Sequence, residues 1–362
     1  MKLEAPPTLV RYRDVREALH DPRLVIHKPL AVGQAENHLV DEAAGRRSHR
    51  VRPLRGSLAR HLAPRRIEQL ADFIEATVDR IVTDAESSGG MDIVRDLAFP
   101  LPVAVMGELL GLPRKDHAQL RPLFEAITRG HDMGATEQAR QHARFAQTAA
   151  MRWIGPELRR GRPSPMLKAI WSVADADGVE PRMVDYWCLM LLYAGSATTR
   201  DLIANAVGLL LDRPADARRL AEDEALILPA IEEVLRFDGP VRGVGRVATE
   251  DLTIGESLIP RGDLVYLMLA DANRDPEHFP DPDRFDLTRS SNPHLAFGMG
   301  VTHCLGAQLA RLEARIVLER LRKSLPLATT QDANDWSPVR LLRQRNTLTV
   351  ELSGQRVCME FP

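Results

Sequence analysis

Phe297-Gly298-Met299-Gly300-Val301-Thr302-His303-Cys304-Leu305-Gly306-Ala307 is the stretch on which the reading of the whole chain turns. A glycine-rich loop runs into a cysteine at the mouth of a helical pattern, Leu305–Lys323. The glycines let the backbone turn and approach a flat ligand closely. A helix N-terminus offers free N–H groups and a positive dipole end, which stabilise a thiolate. Phe297 can shield the sulfur from water. A buried thiolate so placed suits a haem iron that needs an electron-donating axial ligand. A single cysteine is more often a small buried hydrophobe, and Cys188 and Cys358 are read that way. A cysteine hydrolase needs a paired base, whereas His303 is adjacent in sequence, where side chains diverge. A zinc site needs several ligands at metal spacing, and no other cysteine is near.

Composition bounds the alternatives. The 362 residues are 44% hydrophobic and 27% charged, which excludes intrinsic disorder. Formal charge is 48 − 50 = −2, so bulk electrostatics select no polyanionic partner. Aromatics are only 5%, so the core is built mainly from Leu, Val, Ala and Ile. Three cysteines make no disulfide framework, and the odd one points to a reducing compartment or a special thiol. The N-terminus lacks the basic and apolar regions of a secretory signal. The longest apolar run, around Tyr186–Gly195, is too short to cross a bilayer. A soluble, cytoplasmic chain with no membrane partner is expected.

Periodicity predicts helices over Asp14–His20, Arg65–Glu86, Leu97–Leu110, Val184–Leu211, Ala217–Phe237 and Leu305–Lys323, with two more in Lys115–Leu158 joined near Gly130–Gly134. Short strands are expected at Gly243–Val247, Leu252–Ile254, Ser257–Ile259, Leu264–Leu269 and Thr347–Leu352. The fold class is mainly α with small β-sheets, and residues 1–362 read as one domain.

The cysteine loop resembles the haem-binding signature of the cytochrome P450 family, Phe-Gly-x-Gly-x-[His/Arg]-x-Cys-x-Gly, in five of six specified positions. Thr302 stands where the family has His or Arg beside a haem propionate. Glu233-Val234-Leu235-Arg236 is similar to the family's Glu-x-x-Arg helix; alone, such an i, i+3 pair is common on solvated faces. Arg284, in Pro282-Asp283-Arg284-Phe285, would complete a buried Glu–Arg–Arg network with Glu233 and Arg236. Ala272-Asn273-Arg274-Asp275-Pro276, Leu97–Pro113 and Arg11–Leu24 also resemble family segments, in the right order. The resemblance runs from about residue 9 to the C-terminus. It implies the P450 fold without the usual N-terminal helix and strand, and haem b held by the Cys304 thiolate with Phe297, Gly298, Gly306 and His303 around it.

Ala194-Gly195-Ser196-Ala197-Thr198-Thr199 lies mid-way along the longest helical pattern. Small residues beside a threonine can open a groove, because the hydroxyl may bond back to the i−4 carbonyl. The resemblance places Ala194, Gly195 and Thr198 over the distal haem face, with Thr198 delivering protons for O–O cleavage. Ala197 replaces the family's usual carboxylate. Protons would then arrive through water, through a substrate group, or from Asp201, three residues on. Arg246 matches the family's propionate-binding arginine, Arg55 is the second donor, and His49 is a third candidate by context.

Residues 43–67 carry eight arginines, two histidines and no acidic residue. Aromatic interleaving of the kind that binds nucleic acid is missing. On the family reading, the face Arg46–Arg66 docks an acidic ferredoxin, itself served by a ferredoxin reductase. Pocket candidates are Ile26–Gly45, His131–Arg152, Tyr193–Thr198 and Val241–Val244, with Val241, Val244 and Arg242 facing substrate and Arg242 holding a carboxylate. The implied activity is insertion of one oxygen atom from O2 into a small organic substrate in natural-product biosynthesis. The rivals are a peroxygenase, pointed to by Ala197, and a non-catalytic haem protein.

Overall fold

Prolines and glycines punctuate the helices. Pro100, Pro165, Pro181 and Pro214 each sit in the first turn of a helix, where a missing N–H leaves no bond unmade. Gly89 and Gly111 close two helices with φ of 86° and 72°, a conformation that costs glycine little. The computed structural model describes residues 6–26, 48–113, 118–160, 164–330 and 335–352. Its longer helices are α1 (Tyr12–His20), α2 (Ser48–His61), α3 (Ala71–Ser88), α4 (Pro100–Leu110), α5 (Leu120–His131), α6 (Glu137–Arg160), α7 (Pro165–Ala176), α8 (Pro181–Leu211), α9 (Pro214–Glu222), α10 (Ile227–Asp238) and α11 (Ala307–Leu321). No helix among the described residues is long and apolar enough to cross a membrane.

Three small sheets complete the architecture. β1 (Thr8–Leu9), β2 (Leu24–Ile26), β4 (Val244–Ala248) and β7 (Leu264–Leu267) form one in the order β1-β7-β4-β2. β3 (Gly90–Asp92), β8 (Thr329–Thr330) and β9 (Thr349–Glu351) form a second in the order β3-β9-β8, and β5 (Leu252–Ile254) pairs with β6 (Ser257–Ile259). Val244 pairs with Leu267 and Arg246 with Val265, which fixes where the strand after α10 presents its side chains.

Three expected helices are subdivided, and Arg65–Glu86 is one: a short helix Pro64–Ile67 and a 3-10 turn Glu68–Leu70 precede α3. Ala217–Phe237 is two helices, α9 and α10, because the Asp223 carboxylate accepts the Ala225 N–H at 2.9 Å and starts a separate 3-10 turn. Leu97–Leu110 opens as a wide π turn, Ile93–Ala98, capped by Asp92 through the N–H groups of Val94 and Arg95, before α4 begins.

Two apolar clusters hold these elements. The larger joins α2 to α11 through residues such as Ile74, Leu97, Phe124, Leu202 and Leu235; the smaller packs α1 on the β1–β7 sheet through Val15, Leu19, Val265 and Leu269. Each fully buried Leu, Val or Phe stabilises by about 1.5–3 kcal/mol. Leu19 and Leu269 from the smaller cluster, and Met106, Leu202 and Leu235 from the larger, line one common cavity. The functional site lies where the two cores meet.

Candidate active site

The cysteine loop is held open by backbone conformation. Gly298 and Gly300 have φ of 65° and 63°, which a side chain would strain. The Cys304 N–H donates to the Phe297 carbonyl at 2.9 Å and closes the loop on itself. α11 begins at Ala307 with Gly306 as its N-cap. Burial pushes the Cys304 thiol up, while the N–H groups of Gly306 and Ala307 and the guanidinium groups of Arg55 and Arg311 pull it down. The helix terminus and charges therefore act on this sulfur in the direction a thiolate needs. Cys188 differs: fully buried, it is pushed up to about 12 by desolvation and stays a thiol. Cys358 lies outside the described residues.

Cys304 faces a cavity of about 360 Å³. Ala194, Gly195 and Thr198 of α8 line the same cavity, with Phe297, Gly298 and Gly306 from the loop, Val241 and Val244 beyond α10, and Arg55 and Arg246. Ala194 is exposed in the middle of the longest helix, between buried Leu192 and Ser196, because its surface opens into this space. Gly195 lets α4 come close, since a Cβ there would lie 2.7 Å from the Met106 sulfur. The Thr198 hydroxyl donates to the Ala194 carbonyl at 2.8 Å, the i−4 bond expected of it.

The residues fit a haem. A sulfur and a small-residue helix segment line one apolar space, and two guanidinium groups reach the same wall, as two propionates require. Arg246 is buried and reaches the Thr302 hydroxyl at 3.4 Å, so the threonine sits beside the arginine. Arg55 donates to the His303 carbonyl. His49 begins α2, but its side chain falls outside the described residues, as does most of Ile26–Gly45.

Several expected roles change. His303 is exposed and does not line the cavity; its carbonyl accepts from Arg55 and its ring packs 6.4 Å from that of Phe297. Arg242 lines neither large cavity. Extended chain alternates its side chains, so Val241 and Gly243 face cavities while Arg242 turns away, and its N–H is bonded to the Leu341 carbonyl at 2.8 Å. Asp201 points at Arg200 rather than Thr198, with Nε–Oδ1 2.8 Å; burial raises its pKa to about 6 against the pull of Arg200. Ala197 lines a second cavity instead of the one holding Cys304.

The buried network has a different third member. Glu233 and Arg236 are fully enclosed, paired through two 2.8 Å bonds. Arg289, not Arg284, completes the triad, with Nε 3.2 and 3.1 Å from the two Glu233 oxygens. The Arg284 side chain is exposed, and its carbonyl accepts from both Arg236 and Arg289 at 3.1 Å. Arg289 is held inward by its bonds to the carbonyls of Pro280, Asp281 and Arg284.

A second bracing set escaped the sequence reading. Glu232 takes a two-pronged bond from Arg311 at 2.6 and 2.8 Å and contacts His294 at 3.1 Å. The Arg311 guanidinium lies 4.5 Å from the centre of the Phe297 ring, which it holds over the cysteine loop. Residues at positions 232 and 311 share no local motif, so only the fold brings them together.

The chain is similar to known proteins over most of its length. Residues 225–340 match the family model described as Cytochrome P450. The cytochrome P450 monooxygenase PikC of Streptomyces venezuelae is 35% identical over 94% of this chain and 84% of its own length. The vitamin D(3) 25-hydroxylase of Pseudonocardia autotrophica is 35% identical over 97% and 87%. The solved structure of P450BioI in complex with hexadec-9Z-enoic acid ligated acyl carrier protein superposes with a TM-score of 0.86 at 31% identity, covering 97% of this chain and 93% of that one. With both sequence and fold shared over nearly its whole length, the chain belongs to the cytochrome P450 family, as a haem b monooxygenase with cysteine-thiolate ligation.

Proposed function

We propose that this monooxygenase inserts one oxygen atom of O2 into a small organic substrate of natural-product biosynthesis, with Cys304 as the thiolate ligand and electrons from NAD(P)H through a ferredoxin reductase and a ferredoxin. The carrying observation is that Cys304 and Thr198 line one cavity with Arg55 and Arg246 in its wall. Haem bound there supplies oxygen activation, favoured by thiolate donation. The N–H groups of Gly306 and Ala307, with Arg55 and Arg311, offset part of the burial that raises the Cys304 thiol and so would favour its thiolate on iron. Arg55 and Arg246 bind the propionates.

Thr198 Oγ1 carries the proton on the distal side, anchored at the Ala194 carbonyl. Ala197 has no proton to pass, and the Asp201 carboxyl is engaged by Arg200. Water or a substrate group in the second cavity, which Thr198 also lines, therefore supplies Thr198. Residues 1–362 act as one domain around the site. Arg60, Arg65 and Arg66 are exposed, and Val301 of the cysteine loop is 80% exposed, which suits an acidic redox partner.

The test is reconstitution with ferredoxin, reductase and NAD(P)H over a substrate panel. Oxygenated product is expected, at a rate that falls as ionic strength rises. A salt-independent rate would argue against the basic docking face. Turnover supported by hydrogen peroxide alone, and by no redox partner, would favour a peroxygenase.

A further inference from the structure

Beside the Cys304 cavity lies a second chamber of about 230 Å³, and the two share Ala194 and Thr198 as wall. A substrate presenting a carbon near Thr198 therefore has room to extend into this chamber. Its lining is mostly aliphatic, with Ala197, Val339 and Leu342 among the contributors. Besides Thr198, four polar residues interrupt that lining: Thr128, His131, Asp132 and Tyr193.

Their atoms are committed to different degrees. The Tyr193 and Thr128 hydroxyls bond each other at 2.9 Å, and burial pushes the Tyr193 phenol up to about 12, so this pair is neutral and internally satisfied. The His131 ring lies 6.1 Å from that of Tyr193 and packs along the same wall. Asp132 ends α5, and its Oδ1 accepts the N–H groups of Arg340 and Leu341 at 2.8 and 2.9 Å. Those two bonds fix the carboxylate in place. Oδ2 has no hydrogen bond to any described residue, and no Lys or Arg lines the chamber. Asp132 is half-buried and lines the chamber, so its second oxygen can offer negative charge to a cation or strong donor bound there.

We propose that the second chamber is the substrate's head-group subsite and that Asp132 Oδ2 binds a protonated amine carried on an apolar body. This rests on the reading of the Cys304 cavity as the haem site. It replaces the expectation of a substrate carboxylate held by Arg242, which faces neither chamber. Specificity then comes from one fixed anion beside a mostly aliphatic wall, and a carboxylate substrate is repelled by the same group.

The experiment titrates the haem-loaded protein with three twelve-carbon probes and follows the Soret band. The probes are dodecyltrimethylammonium, whose quaternary head cannot ligate iron, dodecanol and dodecanoate, all below micelle formation. The wild type is expected to bind the cationic probe at least tenfold more tightly than dodecanoate. Asp132→Asn keeps an oxygen for the Arg340 and Leu341 N–H groups while removing the charge. It is expected to lower cationic affinity about tenfold and leave dodecanol within twofold. Equal or tighter binding of dodecanoate by the wild type would overturn the proposal. So would an Asp132→Asn variant that weakens all three probes alike, since that marks a merely structural role. Absence of the thiolate signature in the reduced-CO spectrum of the wild type would instead remove the haem-site reading.

Discussion

Removing Glu233 should unfold the cysteine side of the molecule, and the contrast between Arg289 and Arg284 tests why. Glu233 is fully buried and accepts from Arg236 twice, from Arg289, from the Asp286 N–H at 3.0 Å and from the Asn292 amide at 3.2 Å. Glu233→Ala leaves the buried Arg236 guanidinium without its counter-ion, which costs about 3–5 kcal/mol. Against a total stability of about 5–15 kcal/mol for a typical domain, that is a large share. Arg289 is only 10% exposed and also donates to the carbonyls of Pro280, Asp281 and Arg284. Losing charged bonds of this kind costs about 2–3 kcal/mol. Arg284 contributes only a carbonyl, which Arg284→Ala retains, so that change should stay within about 0.5 kcal/mol. Guanidinium unfolding of the haem-loaded protein, followed by far-UV circular dichroism and by the Soret band, measures all three. If Arg284→Ala destabilised as much as Arg289→Ala, the observed triad would be refuted in favour of the sequence-based one.

Two other perturbations are informative. Burial raises the Glu232 pKa, but Arg311 and His294 outweigh it and hold the carboxyl at about 2, below its ordinary 4.5. Its folded-state value is depressed, so its stabilisation is present above pH 4.5 and is lost as pH falls from there towards 2. Discounted for its partial exposure, this is about 1–2 kcal/mol, and the acid limb of a stability–pH curve should be shallower in Glu232→Gln by that amount; superimposable curves would count against the bracing of Phe297 through Arg311. Ala197→Asp puts a carboxylate one position before Thr198, on the second cavity; because water or a substrate group supplies Thr198 there, the fraction of electrons ending in product rather than peroxide should stay unchanged. A clear rise in coupling would contradict that route.

Local signals made much of this legible. The glycine spacing around Cys304, the helix that follows it and the small-residue segment on α8 are all short-range patterns, and the structure places Cys304, Gly195, Thr198 and Arg246 around one cavity. Strands β5 and β6 matched their turn punctuation, because Gly255 with φ 56° closes that hairpin. What failed was long-range. Arg284 and Arg289 are five residues apart in an irregular stretch with no periodicity, so nothing in the chain says which one turns inward. Arg242 fell to strand alternation, whose phase is set by pairing with distant residues. Asp132 falls within the expected pocket segment His131–Arg152, but the role proposed for it depends on the meeting of α5 with residues 339–342, which no motif announces.

The central claim is that the Cys304 sulfur, and no other, holds the iron. The reduced-CO difference spectrum of the haem-loaded protein tests it most directly, with the wild type compared to Cys304→His and Cys188→Ala. The expected result is the red-shifted Soret band of a thiolate-ligated haem in the wild type and in Cys188→Ala, and its loss in Cys304→His while haem stays bound. A thiolate band that survives in Cys304→His, or is lost in Cys188→Ala, would contradict the assignment.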